Sequence, residues 1–194
     1  MRELPLSMLE TLSINREQQV KCVFDAITHT QPTSLRRLQI SHCSSTISFP
    51  RNSLPPSLRE LCIHDCKNVE FPMHHQQHHS LQRLRIYNSC DSLTSFKFPA
   101  FPNLIYLGIQ RCENLTSLEE VSQLRSLQEL SIQMCPELHN IKVPASLREL
   151  RIIRCPLLGE GIEKKDTNIW STISHIPTIY VDEKLILNDS TSLN

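Results

Sequence analysis

The stretch Leu104-Ile105-Tyr106-Leu107-Gly108-Ile109-Gln110-Arg111-Cys112 reads L-x-x-L-x-I-x-x-C, and the same nine-residue pattern recurs through most of the chain. Its leading leucines are Leu35, Leu58, Leu81, Leu104, Leu127 and Leu147, giving four steps of 23 residues and one of 20. In each copy the second leucine and the isoleucine stand two residues apart. That period sends both to one face of a short strand and the residues around them to the other. An earlier copy keeps Leu9, Leu12 and Ile14, with Glu17 in the place of the cysteine and a step of 26 residues to the next copy. In the copy led by Leu81 the cysteine, Cys90, falls one residue late, which reads as a small insertion around Asn88 and Ser89.

A fixed period in the twenties with one strand-like core per unit is the signature of leucine-rich repeats, whose units bury their apolar faces only against each other. The expected fold class is an α/β-type repeat, a curved leucine-rich-repeat solenoid. Parallel β-strands are expected on its concave face, and a mostly irregular convex side with little helix behind them. A second apolar set follows the cysteines at Val69, Leu93 and Phe96, Leu115 and Leu118, and Leu138 and Ile141, while Pro50, Pro72, Pro99, Pro102 and Pro144 interrupt any helix there.

The repeats are expected over 1–158, about seven of them and regular from 35. A capping segment is expected over 159–189, with Trp170, His175-Ile176-Pro177 and the alternating run Ile179-Tyr180-Val181, and then a disordered tail over 190–194. No comparable cap precedes the first copy, so an open apolar strand edge is expected at that end.

Charge is balanced at 20 basic and 20 acidic residues, so no global field draws the chain to nucleic acid or an anionic membrane. The longest apolar runs are only a few residues and Arg2, Glu3 and Glu10 lie near the N-terminus, so neither a signal peptide nor membrane insertion is expected, and the location is read as cytoplasmic. Without a secretory route, the acceptor patterns at Asn114 and Asn188 are chance matches.

Six of the cysteines, Cys43, Cys66, Cys90, Cys112, Cys135 and Cys155, occupy the last position of the repeat rather than metal or disulfide spacings. They read as a structural column of free, buried thiols that hydrogen-bond backbone groups left by the turn after each strand. Cys62 falls between Leu61 and Ile63, faces outward, and is the better candidate for a reactive thiol. Cys22 lies in the irregular first spacer. The segment His74-His75-Gln76-Gln77-His78-His79 offers imidazoles but no completing Cys or carboxylate set, so it reads as a solvated polar loop, with adventitious metal binding the alternative, and no metal site is assigned.

Phosphate-cradling, dinucleotide, zinc-protease and serine-hydrolase motifs are all missing, and three glycines cannot build a glycine-rich loop. The chain reads as non-enzymatic, with no catalytic residue and no cofactor. Information remains on the concave face, where Arg37, Glu60, His64, Arg83, Arg85, Tyr87, Tyr106, Gln110, Glu129 and Arg151 are the candidate protein-binding residues. Arg83, Arg85, Tyr87 and Tyr106 cluster on adjacent rungs beside Gly108, and Arg and Tyr are enriched where proteins bind each other.

The cysteine-ended repeats, the variants Cys112-Glu113-Asn114-Leu115 and Cys135-Pro136-Glu137-Leu138, and the run from Cys155-Pro156-Leu157-Leu158 through Trp170 and His175-Ile176-Pro177 to Ile179-Tyr180-Val181-Asp182 carry a resemblance. The chain resembles the C-terminal leucine-rich-repeat region of plant coiled-coil, nucleotide-binding, leucine-rich-repeat disease resistance proteins. The resemblance implies a protein-recognition module in plant innate immunity. Its partner would be a pathogen effector or a host protein held on the concave face, with a nucleotide-binding domain in a longer parent chain. Two alternatives stand beside it: the repeat part of an F-box substrate receptor for ubiquitination, and a truncated receptor remnant without function of its own.

Overall fold

A computed structural model of the chain describes residues 8–30, 34–49, 54–70, 77–89 and 101–186. The period-two apolar pairs dictate its main element. Each leucine and isoleucine pair forms the inward face of one strand: β1 (Thr11–Asn15), β2 (Arg37–Cys43), β4 (Glu60–Cys66), β6 (Arg83–Tyr87), β7 (Tyr106–Gln110), β9 (Glu129–Gln133) and β11 (Glu149–Ile153). With β12 (Thr178–Val181) and β13 (Lys184–Ile186) they make a nine-stranded sheet in chain order, parallel throughout except that β13 folds back antiparallel on β12.

The register aligns equivalent repeat positions, Leu61 with Leu84, Leu84 with Leu107 and Leu107 with Leu130. The short 20-residue step keeps it, pairing Leu130 with Leu150, so the missing residues are taken out of the spacer and not the strand. The leading leucines from Leu35 to Leu147 are 0–1% exposed. Short strands on the far side of the rungs, β3 (Ile47–Ser48) with β5 (Val69–Glu70) and β8 (Ser117–Leu118) with β10 (Asn140–Ile141), form two small parallel ribbons, and a 3-10 turn covers Glu119–Gln123. Val69, Leu115, Leu118, Leu138 and Ile141 are buried there as the sequence predicts, while Leu93, Phe96, Pro50, Pro72 and Pro99 lie outside the described residues. This mostly parallel sheet with few helices is compatible with a leucine-rich-repeat arrangement.

Backbone groups at both ends of the strands are satisfied rung to rung. Before each strand one carbonyl accepts two consecutive N–H groups of the next rung, as Arg36 does from Arg59 and Glu60 (2.8 and 2.9 Å) and Gln82 does from Ile105 and Tyr106 (2.8 and 3.0 Å). After each strand the chain leaves through a residue in the left-handed region: Arg16, His42, Asp65, Asn88, Arg111, Met134 and Arg154, with φ between 44° and 87° and no glycine among them. Such a conformation costs an L-residue about 1–2 kcal/mol. The cost recurs because the turn aims the next side chain inward, into the cysteine column.

In that column the Cys155 sulfur accepts the Cys135 N–H at 3.4 Å, and its thiol faces the Ile153 carbonyl at 3.5 Å. Cys43, Cys66 and Cys135 face the carbonyl two residues back in the same way, at 3.5, 3.3 and 3.4 Å. The expected insertion at Asn88 and Ser89 is corrected here. Ser89, 0% exposed, fills the column position at the regular spacing from Leu81, its Oγ accepting the Cys66 N–H at 3.0 Å and donating to the Tyr87 carbonyl at 2.6 Å. Asn88 is the ordinary left-handed residue of that rung. Cys90, assigned to the column from sequence, lies outside the described residues.

Helix is sparse, as expected, with one exception among the described spacers: in the first, α1 spans Glu17–Thr30. Val20, Val23, Phe24 and Ile27 follow the 3, 4, 7 spacing of a helical stripe, and Val20, Phe24 and Ile27 are buried. The Phe24 ring meets Phe49 at a centroid distance of 5.3 Å. The long 26-residue step therefore houses a helix that shields the back of the first rung. Strand β1 pairs only with β2 among the described residues.

At the other end α2 (Pro156–Glu163) begins directly after Cys155, with proline in its first turn, where no N–H is needed. Helix α3 (Thr167–Ile173) is capped by Asp166, whose carboxylate accepts the Asn168 N–H at 2.9 Å. Leu158, Ile162, Ile173 and Ile176 are buried and extend the core past β11, and β12 adds Ile179 and Val181 to it. Residues 187–194, with Asn188 and the expected tail, lie outside the described residues.

Substitutions at two positions test these turns by urea denaturation. Ser89→Ala strands the buried Cys66 N–H and lowers stability by about 1–3 kcal/mol, whereas Ser89→Cys retains an acceptor and loses less; equal losses would displace Ser89 from the column. Arg111 is exposed, yet Arg111→Val lowers stability by on the order of 1 kcal/mol, because a β-branched residue fits the left-handed region worse than arginine does, and Arg111→Gly, which relieves that region, does not.

Candidate functional site

Because side chains alternate along a strand, each outward position stacks beside its counterpart on the next rung. Arg37, Glu129 and Arg151 are exposed; His64, Arg83, Arg85, Tyr87, Tyr106 and Gln110 are half-buried by their neighbours. Glu60, taken from sequence as a contact residue, is only 8% exposed. Its carboxylate is held by Arg37 Nε at 2.9 Å on one side and by the Arg85 guanidinium on the other. Glu60 thus organises two arginines and presents little surface itself.

The structure brings Arg83, Arg85 and Tyr106 together. The Tyr106 ring lies flat over Gly108, where an added Cβ would stand 2.9 Å from its hydroxyl oxygen. The Arg83 and Arg85 guanidinium carbons sit 4.6 and 5.3 Å from the ring centroid, within cation–π range. A side chain at 108 would displace the far end of the Tyr106 ring from this position. Desolvation opposes the Arg85 charge, but Glu60 and Tyr106 outweigh it and raise the Arg85 pKa. The outcome is a strip of fixed groups across β2, β4, β6 and β7, running Arg37, Glu60, Arg85, Tyr106, Arg83. A cleft of about 200 Å³ at its upper edge adds Arg36 and Arg59. Arg151 is apart from this strip, on β11, stacked on Tyr180 at 4.9 Å and paired with Glu149.

A second cluster was not legible as a site in the sequence. His42 and Asp65 occupy the same left-handed position of successive rungs, and His64 precedes Asp65 on β4. Asp65 Oδ2 lies 3.4 Å from His42 Nδ1 and 2.7 Å from His64 Nδ1, while Oδ1 accepts a hydrogen bond from Asn88 Nδ2. The Asn88 hydrogen bond, with help from the two imidazoles and against a small desolvation, holds the Asp65 carboxyl below its usual range. The signal was the 23-residue spacing of His42 and Asp65, which places them side by side once the rungs are stacked.

The described thiols fall into two groups, the repeat column and the rest. Cys43, Cys66, Cys112, Cys135 and Cys155 are free and buried. A thiol contact from Cys112, together with burial, pushes Cys135 up to about 12. Cys62 is half-buried, and burial raises its pKa more than Arg85 lowers it, so it is not an activated nucleophile. Of the histidine-rich segment, His74, His75 and Gln76 lie outside the described residues. His78 is not fully solvated: its Nε2 donates to the Pro55 carbonyl at 2.8 Å, and burial lowers its pKa. Among the described residues no helix is long and apolar enough to cross a membrane.

No family model and no solved structure matches the chain. Curated proteins do. Two are Arabidopsis thaliana proteins described as putative disease resistance proteins: an RPP13-like protein 1, 34% identical over 68% of this chain and 13% of its own length, and another, 35% identical over 58% and 8%. A third is the TMV resistance protein N of Nicotiana glutinosa, 31% identical over 52% of this chain and 9% of its own length. The chain therefore spans only a small part of the curated relatives it matches. Its homologues are plant disease resistance proteins, as the cysteine-ended repeats led one to expect.

The thiol order is checked by alkylation with iodoacetamide over a pH series from neutral to alkaline, with peptide mapping. Exposed Cys22 is modified first and Cys62 slowly, its rate still climbing above pH 9, while Cys135 and Cys155 react only after denaturation.

Proposed function

We propose that the chain is a leucine-rich-repeat solenoid segment that acts in plant defence as a non-enzymatic protein-recognition module, using the concave side of its parallel sheet. The single observation that carries this reading is the strip in which Glu60 clamps Arg37 and Arg85, and Arg83 and Arg85 flank Tyr106 over Gly108. Side chains already fixed in one arrangement lose less conformational entropy on binding. Arginine and tyrosine are also the residue types that most often carry binding energy at protein interfaces.

The chemistry of the strip indicates what it holds. Among the described residues Arg83 makes a cation–π contact and no ion pair, and the Arg36 and Arg59 guanidinium groups donate to the Ser57 and Ser80 carbonyls. A protein ligand presenting carboxylates beside an aromatic or aliphatic group would complete these cations and stack on Tyr106. The ligand is a pathogen effector or a host protein, encountered in the cytoplasm. The small share of the relatives' length that the chain spans supports a place within a longer disease resistance protein, which by the resemblance also carries a nucleotide-binding domain.

Affinity capture from leaf tissue with mass spectrometry tests the reading. The bait is compared with an Arg83→Glu, Tyr106→Ala variant, which leaves the Glu60 clamp intact. A specific protein recovered by the wild type and lost with the variant, at an unchanged denaturation midpoint, is the expected result. Recovery of the same proteins by both refutes the strip as a recognition surface.

A further inference from the structure

We propose that His42, His64 and Asp65 form a binding site for a divalent transition-metal ion of the zinc class, independent of the recognition reading above. Their donor atoms, one from each residue, all lie within 4.8 Å of one another. Zinc held tetrahedrally by nitrogen and oxygen at about 2.0–2.2 Å needs donors roughly 3.3–3.5 Å apart. His42 Nδ1 and Asp65 Oδ2 are already at 3.4 Å, and His64 Nδ1 at 2.7 Å from the same oxygen has only to draw back by a fraction of an ångström. The imidazoles are edge to face at 76°, with centroids 5.9 Å apart, so both rings can turn a nitrogen toward one point without stacking.

Three further features favour a metal over a plain hydrogen-bonded cluster. Two neutral imidazoles and a carboxylate are a borderline ligand set suited to zinc. Asn88 already orients the carboxylate through its other oxygen, the role that an outer-shell partner plays for a metal ligand. His42 and Asp65 are mounted on backbone turns that every rung repeats, so their Cα positions are fixed by the sheet and not by a free loop. Closing the site takes side-chain rotation that draws the donors in from within 4.8 Å, and the His42 and His64 side chains, 61% and 45% exposed, have solvent on one side to turn in. With three protein ligands a fourth position stays open to solvent. It lies at the edge of the outward face, where the His64 ring is 6.0 Å from Tyr87.

The test is zinc titration of the untagged chain by calorimetry, on a background in which His74, His75 and His79 are changed to glutamine so that the histidine-rich segment does not compete. About one zinc per chain is expected on this background, with His64→Ala and Asp65→Asn each weakening it tenfold or more. Asparagine keeps the left-handed turn at 65, so an unchanged denaturation midpoint certifies the fold in that variant. Cobalt bound in place of zinc should give visible absorption that disappears in the same two variants. Zinc binding absent from the background, or undiminished by His64→Ala and Asp65→Asn, overturns the proposal.

Discussion

Every rung of this molecule can bury its Leu, Leu and Ile only by lying in register against the rung before and the rung after. A lone L-x-x-L-x-I strand leaves one apolar face uncovered on either side, so stability is a property of stacking and not of the unit. Each fully buried leucine or isoleucine contributes roughly 1.5–3 kcal/mol relative to exposure. A one-residue slip would turn all of them outward together. This explains why the 20-residue and 26-residue steps leave the strands untouched. The first loses spacer and the second gains a helix, while Leu12, Leu38, Leu130 and Leu150 stay in one line.

Stacking at so short a spacing creates a second demand, which the turn after each strand meets. The chain must leave the sheet without stranding N–H and carbonyl groups in the core. A left-handed residue supplies the bend, and an inward cysteine or serine supplies a small side chain that accepts from one rung and donates to another. Cysteine tolerates the apolar surroundings because its hydrogen bonds are weak and its desolvation cheap. Serine at 89 gains a stronger bond and pays more for burial. The column thus accommodates either residue, and reading it by cysteine alone misplaces the column position of the rung led by Leu81 by one residue.

The strands and the main core were legible in the sequence, because a repeated period reports stacking directly. What escaped was local. Helix α1 carries an ordinary amphipathic stripe at Val20, Val23, Phe24 and Ile27, but its spacer has no counterpart elsewhere in the chain, so the repeat alignment gave no reason to look there. The candidate face was legible as a set of outward positions, though not in its roles. That Glu60 is a buried clamp, and that Tyr106 lies over Gly108, depends on side-chain rotamers and on neighbours in the adjacent strands, which no one-dimensional spacing records. The strip spans 37 to 106 in sequence and only four strands in space.

The left-handed column shows how a purely structural requirement selects chemistry. Asn, Asp and His are the non-glycine residue types best suited to positive φ, and they are also residues that bind metals and accept or donate strong hydrogen bonds. A fold that demands such a conformation once per rung, at a fixed lateral spacing, therefore brings ligand-forming side chains into line without any selection for a site. His42, Asp65 and Asn88 are three consecutive examples. Farther along, Arg111 and Met134 occupy the same positions and meet through Nε and Sδ at 3.4 Å, a contact with no donor set for a cation. The same backbone turn yields a ligand cluster at one end of the sheet and an inert contact at the other, and the difference rests wholly on which side chains the sequence places there.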